Sequence, residues 1–156
     1  MKEKILSVIE KNSRIAVDDL ATLLGEPVDA VTQALMELEH DKVICGYHTI
    51  INWEKIAAQK VNALIEVRVT PQRNFGFDKI AERIYNFPEV QSVYLISGGF
   101  DFAIFIEGKT LQEVAEFVSS KLSTLESVLS TATHFVLKKY KDHGTIMAEQ
   151  PKKERM

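Results

Sequence analysis

Residues 90–106 of the chain read VQSVYLISGGFDFAIFI. β-Branched and aromatic residues predominate on both sides of Gly98-Gly99, a composition that predicts two strands joined by a turn. In the second strand Phe102, Ile104 and Ile106 alternate with other residues, so we expect their side chains on the buried face of a sheet. This stretch therefore predicts two successive strands of one sheet.

The flanking segments extend this pair into a repeated pattern. Val61 to Val69 alternates as a strand does, and apolar residues between 77 and 84 recur at helical spacing. Thr110 and Glu113 form a capping box that begins a second helix, and residues 128–140 return to strand character. The order strand, helix, strand, strand, helix, strand predicts a ferredoxin-like βαββαβ sandwich over residues 61–141.

The sheet face that the helices leave uncovered is expected to be apolar. Alternation assigns four positions to this face: Leu64, Val93, Leu95 and Phe105. Because a large apolar surface is unfavourable in water, we expect two copies to pack through their sheets as a homodimer.

Residues 1–52 have a different pattern, in which the apolar spacing is helical. Three short helices are predicted, with Gly25 ending the second and Pro27 beginning the third. The β-branched stretch 43–51 then predicts a hairpin, which together with the helices gives a winged helix-turn-helix. A small helical packing module without nucleic acid is the alternative. The chain is thus predicted to be α+β, with a linker at 53–60 and a polar tail at 142–156.

Composition excludes several classes of protein. Of the 156 residues, 46% are hydrophobic and 26% are charged, which indicates a globular rather than a disordered chain. The single cysteine, Cys45, allows no internal disulfide and no zinc site on its own. No transmembrane segment and no secretory signal is recognisable, so a cytoplasmic location without membrane partners is expected.

Four short motifs resemble the Lrp/AsnC family, the feast/famine regulators, over about residues 1–140. They are Ile44-Cys45-Gly46-Tyr47, Phe87-Pro88-Glu89-Val90, Ser97-Gly98-Gly99-Phe100-Asp101, and Thr133 with Val136-Leu137-Lys138. The resemblance implies a transcriptional regulator that dimerises, assembles further into an octamer, and binds an amino acid where sensing domains meet. It places Gly98, Gly99 and Asp101 around the effector, with Thr131 and Thr133 nearby. The alternative for this turn is a plain hairpin in which Asp101 satisfies backbone amides.

The expected partner of the third helix is double-stranded DNA. Five residues are candidate contacts: Thr32, Gln33, Met36, Lys42 and His48. Gln can pair with an adenine edge, Thr can meet a thymine methyl, and cations neutralise phosphates. However, the net charge is −3, and seven acidic residues but no Lys or Arg lie between Arg14 and Lys42. Either assembly of several weak modules compensates, or this unit has lost DNA binding and contacts protein.

An enzyme is the remaining alternative, because sirohaem decarboxylases share the two-domain architecture. Such an enzyme needs His and Arg in a pocket, and only His134 lies on a predicted sensing-domain strand. No nucleophilic triad, phosphate loop or metal-ligand spacing is recognisable, so no catalytic residue, cofactor or metal is expected.

Overall fold

The computed structural model describes residues 1–71, 73 and 76–148. The chain forms two compact units, one spanning Met1–Ile50 and the other beginning at Ile51. Helices and an antiparallel sheet make it an α+β protein, as predicted. No helix within the described residues is long and apolar enough to cross a membrane.

The first unit contains three helices, α1 (Lys2–Ile9), α2 (Val17–Leu24) and α3 (Val28–His40). One apolar stripe from each helix meets in a common core. Its buried members are Ile5, Leu20, Ala21, Val31, Ala34 and Leu38. Helical spacing in the sequence predicted these stripes, and the opposite face of each helix is left in solvent.

The turn between α2 and α3 is built on Gly25. This residue has φ 67° and ψ 31°, a left-handed conformation that glycine adopts at little cost. The Glu26 amide donates to the Ala21 carbonyl at 3.0 Å, which closes the end of α2. After Pro27 the chain enters α3, so the predicted helix-turn-helix is confirmed.

The C-terminus of α3 is capped in the same way as that of α2, by a residue in the left-handed conformation, but here this residue is a lysine. Lys42 has φ 58°. The Lys42 amide donates to Glu39 O at 3.2 Å, and the Val43 amide donates to Leu38 O at 3.0 Å. This is a Schellman motif, in which glycine usually holds the left-handed position.

The hairpin predicted over residues 43–51 is wrong as a pair of strands, because this stretch contains no paired strand. A two-stranded hairpin without a further sheet partner is only marginally stable, which overrides its β-branched composition. Side-chain hydrogen bonds hold the segment against α3 and against the turn that follows it. The Tyr47 hydroxyl donates to Glu39 Oε1 at 2.7 Å, and the Cys45 thiol donates to Lys42 O at 3.1 Å.

The second unit is the predicted ferredoxin-like sandwich. Its strands are β1 (Val61–Val69), β2 (Val90–Leu95), β3 (Phe102–Gly108) and β4 (Val128–Phe135). They form an antiparallel sheet in the order β2-β3-β1-β4. Two helices contribute to its core, α4 (Asp78–Tyr85) and α5 (Leu111–Phe117), and a π-helical turn, Val118–Leu122, continues α5.

The start of α5 is the predicted capping box. The Glu113 amide donates to Thr110 Oγ1 at 3.0 Å, and Glu113 Oε2 accepts from the Lys109 amide at 2.8 Å. Two otherwise unpaired amides at the helix start are thereby satisfied. This local signal in the sequence therefore fixed the helix boundary.

The composition of the open sheet face differs from the prediction at two positions. Val93 pairs with Ile104 and Leu95 with Phe102, so both lie on the helix-covered side. The cause is a register shift between Val90 and Ser92, which reverses the alternation along β2. Tyr94 takes the open face instead, and its ring meets that of Phe105 edge-on with centroids 6.0 Å apart.

The two ends of this unit also differ from the sequence expectation. β4 stops at Phe135 rather than continuing to residue 140. A small hairpin pairs Lys141–Asp142 (β5) with Thr145–Ile146 (β6). It crosses the predicted boundary between the sandwich, 61–141, and the polar tail, 142–156. His143 and Gly144 both have positive φ, the conformation of a two-residue hairpin turn. The expected linker contains a 3₁₀ turn, Trp53–Lys55, within the second unit, and the rest of the expected tail, 149–156, lies outside the described residues.

Candidate DNA-reading surface and effector-binding turn

The outer face of α3 is free of packing. Val31, Ala34 and Leu38 are buried against the core, so the opposite side of the helix faces solvent. The three predicted base-contacting residues, Thr32, Gln33 and Met36, are all exposed. Thr32 Oγ1 donates to the Val28 carbonyl at 2.9 Å, which leaves its methyl group as the contacting surface.

Glu37 connects this face to α1. Its Oε2 lies 2.8 Å from Lys2 Nζ, and its Oε1 accepts a hydrogen bond of 3.3 Å from Gln33 Nε2. The hydrogen bond from Lys2, followed by that from Gln33, holds the pKa of the Glu37 carboxyl below its usual range. The carboxylate thus stays ionised, and a cation of the same unit neutralises it.

Glu39 is engaged on the other flank of the helix. Its Oε1 accepts from the Tyr47 hydroxyl, and this bond raises the pKa of Tyr47 because the charged acceptor stabilises the phenol proton. Two of the seven acidic residues that argued against DNA binding are therefore hydrogen-bonded within the unit.

The two remaining predicted contacts, Lys42 and His48, are exposed and follow α3 in the chain. His48 lies beside Gly46, where an added Cβ would sit 3.4 Å from His48 Nε2. Residues 43–48 and α1 border a groove of about 450 Å³, whose wall also includes Cys45. The structure shows both as accessible groups that lie outside α3.

Sequence reasoning missed two members of the outward row on α3. Asp29 and His40 are exposed, and with Gln33 and Met36 they follow the spacing of four, three and four residues. The helical period alone could have found them. His40 Nδ1 lies 3.2 Å from Asp41 Oδ1, so this neighbour influences any contact that His40 makes.

The predicted effector turn is attached to the sheet through Asp101. Asp101 Oδ2 accepts a 2.9 Å hydrogen bond from the Val69 amide at the end of β1. The Asp101 amide donates to the Val67 carbonyl at 2.9 Å, and the Ile96 amide donates to the Asp101 carbonyl at 2.8 Å. The carboxylate therefore has one oxygen committed to the fold.

The two glycines of the turn are exposed. A Cβ added at Gly99 would meet nothing within 4 Å, and one at Gly98 would meet only Ile96 Cγ2 at 3.6 Å. Neither has a positive φ, so backbone strain does not explain them. In a single copy the turn is open on this side, and enclosing a ligand there requires further surface.

The predicted threonines lie on the other side of β1 from Asp101. Thr131 pairs with Val67, the residue whose carbonyl accepts from the Asp101 amide, and Thr133 pairs with Ile65. Both threonines are half-buried. The structure thus brings Asp101 and Thr131 to the same level of β1 and places Thr133 one pleat further along.

His134, the residue on which the enzyme alternative depends, lies on the open sheet face. It pairs with Leu64 across β1 and β4, and its Nε2 is 3.5 Å from Glu66 Oε1. Its side chain is 55% exposed, whereas the enzyme alternative requires a histidine that lies in a pocket. Among the described residues no group of three His, Cys, Asp or Glu could hold a metal ion.

A helix-turn-helix with a free second helix, followed by a ferredoxin-like unit with an open sheet, defines a two-domain class of transcriptional regulator. The family model of the Lrp/AsnC ligand binding domain matches residues 62–146. An uncharacterised HTH-type transcriptional regulator of Bacillus subtilis, YugG, is 49% identical over 92% of this chain and 87% of its own length. The chain therefore belongs to the Lrp/AsnC family.

Two further relatives illustrate the range of this similarity. A proline dehydrogenase transcriptional activator of Rhodobacter capsulatus is 26% identical over 86% of each chain. The transcriptional regulator NMB0573 of Neisseria meningitidis, solved in complex with L-Met, superposes with a TM-score of 0.73 at 21% identity, over 93% of each chain. That structural likeness supports the fold, and the curated relatives are transcriptional regulators rather than enzymes.

Proposed function

We propose that this protein is a DNA-binding transcriptional regulator whose sensing unit oligomerises and responds to an amino acid. The observation that carries the proposal is the outer face of α3, which is unpacked and displays Thr32, Gln33 and Met36. These side chains offer a hydrogen-bonding amide and apolar groups, the chemistry that reads base edges in a major groove.

The acidic character of the first unit is compatible with this role. Glu37 is paired with Lys2, and Glu39 accepts from Tyr47, so neither faces phosphate as a free carboxylate. Several exposed cations of the first unit could contact phosphates. They are Lys4, Lys11, Arg14 and Lys42. Because each supplies one contact at most, we expect a modest salt dependence for a single unit, increased when several units bind together.

The effector part of the proposal rests on the turn at Asp101. One carboxylate oxygen remains after the Val69 bond, and exposed glycines leave room beside it. An ammonium group is the expected ligand of that oxygen, while half-buried Thr131 and Thr133 offer hydroxyls. A regulator of the same fold has been solved with L-Met, which favours an amino acid.

The oligomer part rests on the open face of the sheet. Leu64, Tyr94 and Phe105 form an apolar surface there, with Glu66 and His134 beside it. We infer that a second copy covers this face and that further assembly, as in an octamer, would enclose the open turn. The effector site would then be complete only in the assembled protein.

The test is a gel shift of the full chain on the duplex upstream of its own gene, with a scrambled duplex as the control. Each lane series is run with and without a panel of amino acids that includes L-methionine. Specific retardation that one amino acid changes supports the proposal. Gln33→Ala is expected to abolish specific retardation while leaving salt-sensitive binding to the scrambled duplex in place.

The second candidate is an effector-binding oligomer that no longer reads DNA. The acidic stretch between Arg14 and Lys42 is the observation in its favour. It predicts equal, weak retardation of both duplexes, together with an amino acid that binds in calorimetry and changes the oligomeric state. That pair of results would replace the regulator with this candidate.

A further inference from the structure

We propose that Glu37, held by Lys2, is a positioning residue that fixes the amide of Gln33 so that this side chain reads adenine and rejects guanine. The inference deepens the proposed DNA-binding function and rests on it. It assigns a role in specificity to a carboxylate whose charge alone would argue only against binding.

The geometry of Glu37 uses both of its oxygens. Oε2 lies 2.8 Å from Lys2 Nζ on α1, and Oε1 accepts from Gln33 Nε2 one turn earlier on α3. The ion pair with Lys2, on the neighbouring helix, therefore restrains the Glu37 carboxylate. That carboxylate in turn restrains Gln33, which lies four residues earlier on the same helix. The three side chains form a chain of contacts that ends at the outer face of α3.

The orientation of the Gln33 amide follows from the chemistry of its partner. An ionised carboxylate can only accept hydrogen bonds, so the amide nitrogen and not its oxygen faces Glu37. The amide carries two hydrogens. Gln33 Nε2 directs one of them to Glu37 Oε1. In the inferred geometry this is the hydrogen on the far side of the nitrogen, so the hydrogen beside Gln33 Oε1 stays available. Gln33 thus presents one donor and one acceptor together in a fixed order.

That order matches adenine in the major groove. Adenine offers N7 as an acceptor and the N6 amino group as a donor, whereas guanine offers two acceptors, N7 and O6. A glutamine without this restraint can rotate its amide so that the NH₂ group donates to guanine N7 or O6. With the nitrogen held by Glu37, the oxygen would oppose guanine O6, and guanine is rejected.

The experiment is an in vitro selection by the full chain from a duplex pool randomised over about two helical turns. Matched duplexes with A·T or G·C at each selected position then give affinities by fluorescence anisotropy. The position that Gln33 reads is the one where Gln33→Ala alone removes the preference, expected to be roughly 5- to 150-fold in the wild type. At that position Glu37→Ala is expected to lower the adenine preference by about two- to tenfold, because the glutamine must be ordered on binding.

Glu37→Ala is expected to change non-specific affinity in the opposite direction from the adenine preference. Glu37→Ala removes a negative charge and releases Lys2, so binding to a scrambled duplex is expected to become tighter. Glu39→Ala is the matched control, since it removes the same charge from the same helix but its partner is Tyr47. This control is expected to tighten non-specific binding and to leave the adenine preference unchanged.

A conservative variant separates the hydrogen bond from the charge. Glu37→Gln keeps an oxygen that can accept from Gln33, so it is expected to retain the adenine preference. If Glu37→Gln lost it as fully as Glu37→Ala, or if Glu37→Ala kept it, the inference would be overturned. A wild-type protein that selects no sequence at all would instead count against the proposed DNA-binding function itself.

Discussion

At the scale of single residues, Asp101 serves the fold as well as the proposed effector site. The Val69 amide that it accepts from belongs to a residue that is only 5% exposed. Asp101→Ala leaves this buried donor unpaired, so we expect the free energy of unfolding to fall by about 1–3 kcal/mol. Urea unfolding followed by circular dichroism measures the loss.

Asp101→Asn is the matched control for that change. The amide oxygen of asparagine still accepts from Val69, but the negative charge that attracts an ammonium group is lost. We expect near wild-type stability together with loss of effector binding in calorimetry. Equal stability of Asp101→Ala and the wild type would contradict the structural role of the carboxylate.

Lys42 is a second residue at which two demands conflict. Its φ of 58° is costly for any residue with a Cβ, so Lys42→Gly is expected to raise the free energy of unfolding by about 1–2 kcal/mol. The same change removes a cation, and the slope of log affinity for DNA against log salt should flatten by about one. Chemical denaturation and anisotropy titrations measure the two effects.

Lys42→Gln separates the backbone effect from the charge. It keeps the strained conformation and loses the cation, so we expect unchanged stability and the same flattened slope as for Lys42→Gly. A stabilised glycine variant with an unaltered slope would show that Lys42 makes no phosphate contact.

The sequence identified these residues but not their partners. Asp101 stood out in its motif, yet the Val69 amide lies 32 residues away in the chain. From the sequence alone Glu37 is an unfavourable charge near DNA, because nothing local predicts that Lys2 reaches it. Residue type and local spacing predict candidates, whereas contacts between distant segments depend on the packing of whole elements.

At the scale of elements, the π-helical turn after α5 contains Lys121, whose Nζ lies 2.5 Å from Glu89 Oε1. This hydrogen bond holds the pKa of the Glu89 carboxyl below its ordinary value of 4.5. A lowered pKa in the folded state adds stability above pH 4.5, and the gain is lost as the pH falls through the folded pKa. Lys121→Met is therefore expected to cost up to about 1 kcal/mol at pH 7 and less at an acid pH well below 4.5.

Thermal unfolding of both proteins across this pH range provides the measurement. Lys139→Met is the control, because Lys139 makes a looser contact of 3.8 Å with Asp142. We expect little effect of this control at either pH. A cost of Lys121→Met that stays constant with pH would assign the effect to lost packing rather than to the ion pair.

Elements with a strong periodic pattern could be predicted from the sequence, and weakly supported ones could not. The stripes of α3 and α4 and the alternation of β1 appear in the structure as expected. The hairpin predicted over residues 43–51 does not form, because β-branched composition does not supply a strand partner. The π-helical turn has no signature in residue spacing that separates it from a continued α-helix.

At the scale of the whole molecule, the open sheet face is expected to join two copies. Phe105 is 36% exposed and meets Tyr94 on this face. Phe105→Asp would bury a charge in the proposed interface, so sedimentation velocity at micromolar concentration should show a monomer. Leu137→Asp, at a residue that is 94% exposed and outside the sheet, is the control and should remain dimeric. A dimeric Phe105→Asp protein would remove the sheet from the interface.

The order of elements was sufficient to predict the sandwich, because the pattern of two βαβ halves has few other arrangements. The make-up of the open face was not predictable to the same degree. A single register shift between Val90 and Ser92 moved Val93 and Leu95 to the core side and brought Tyr94 out. Strict alternation cannot anticipate such a shift, and one residue changes which side every later position takes.

The hydrogen bond between Asp101 and Val69 has a consequence for how a bound amino acid could be detected. The ammonium group of a bound amino acid would compete for the Asp101 carboxylate, which already accepts from the Val69 amide at the end of β1. Occupancy would therefore weaken the protection of that one main-chain proton. Deuterium uptake at the Val69 amide would then accelerate when the ligand is added, and a single NMR cross-peak would report occupancy at the turn.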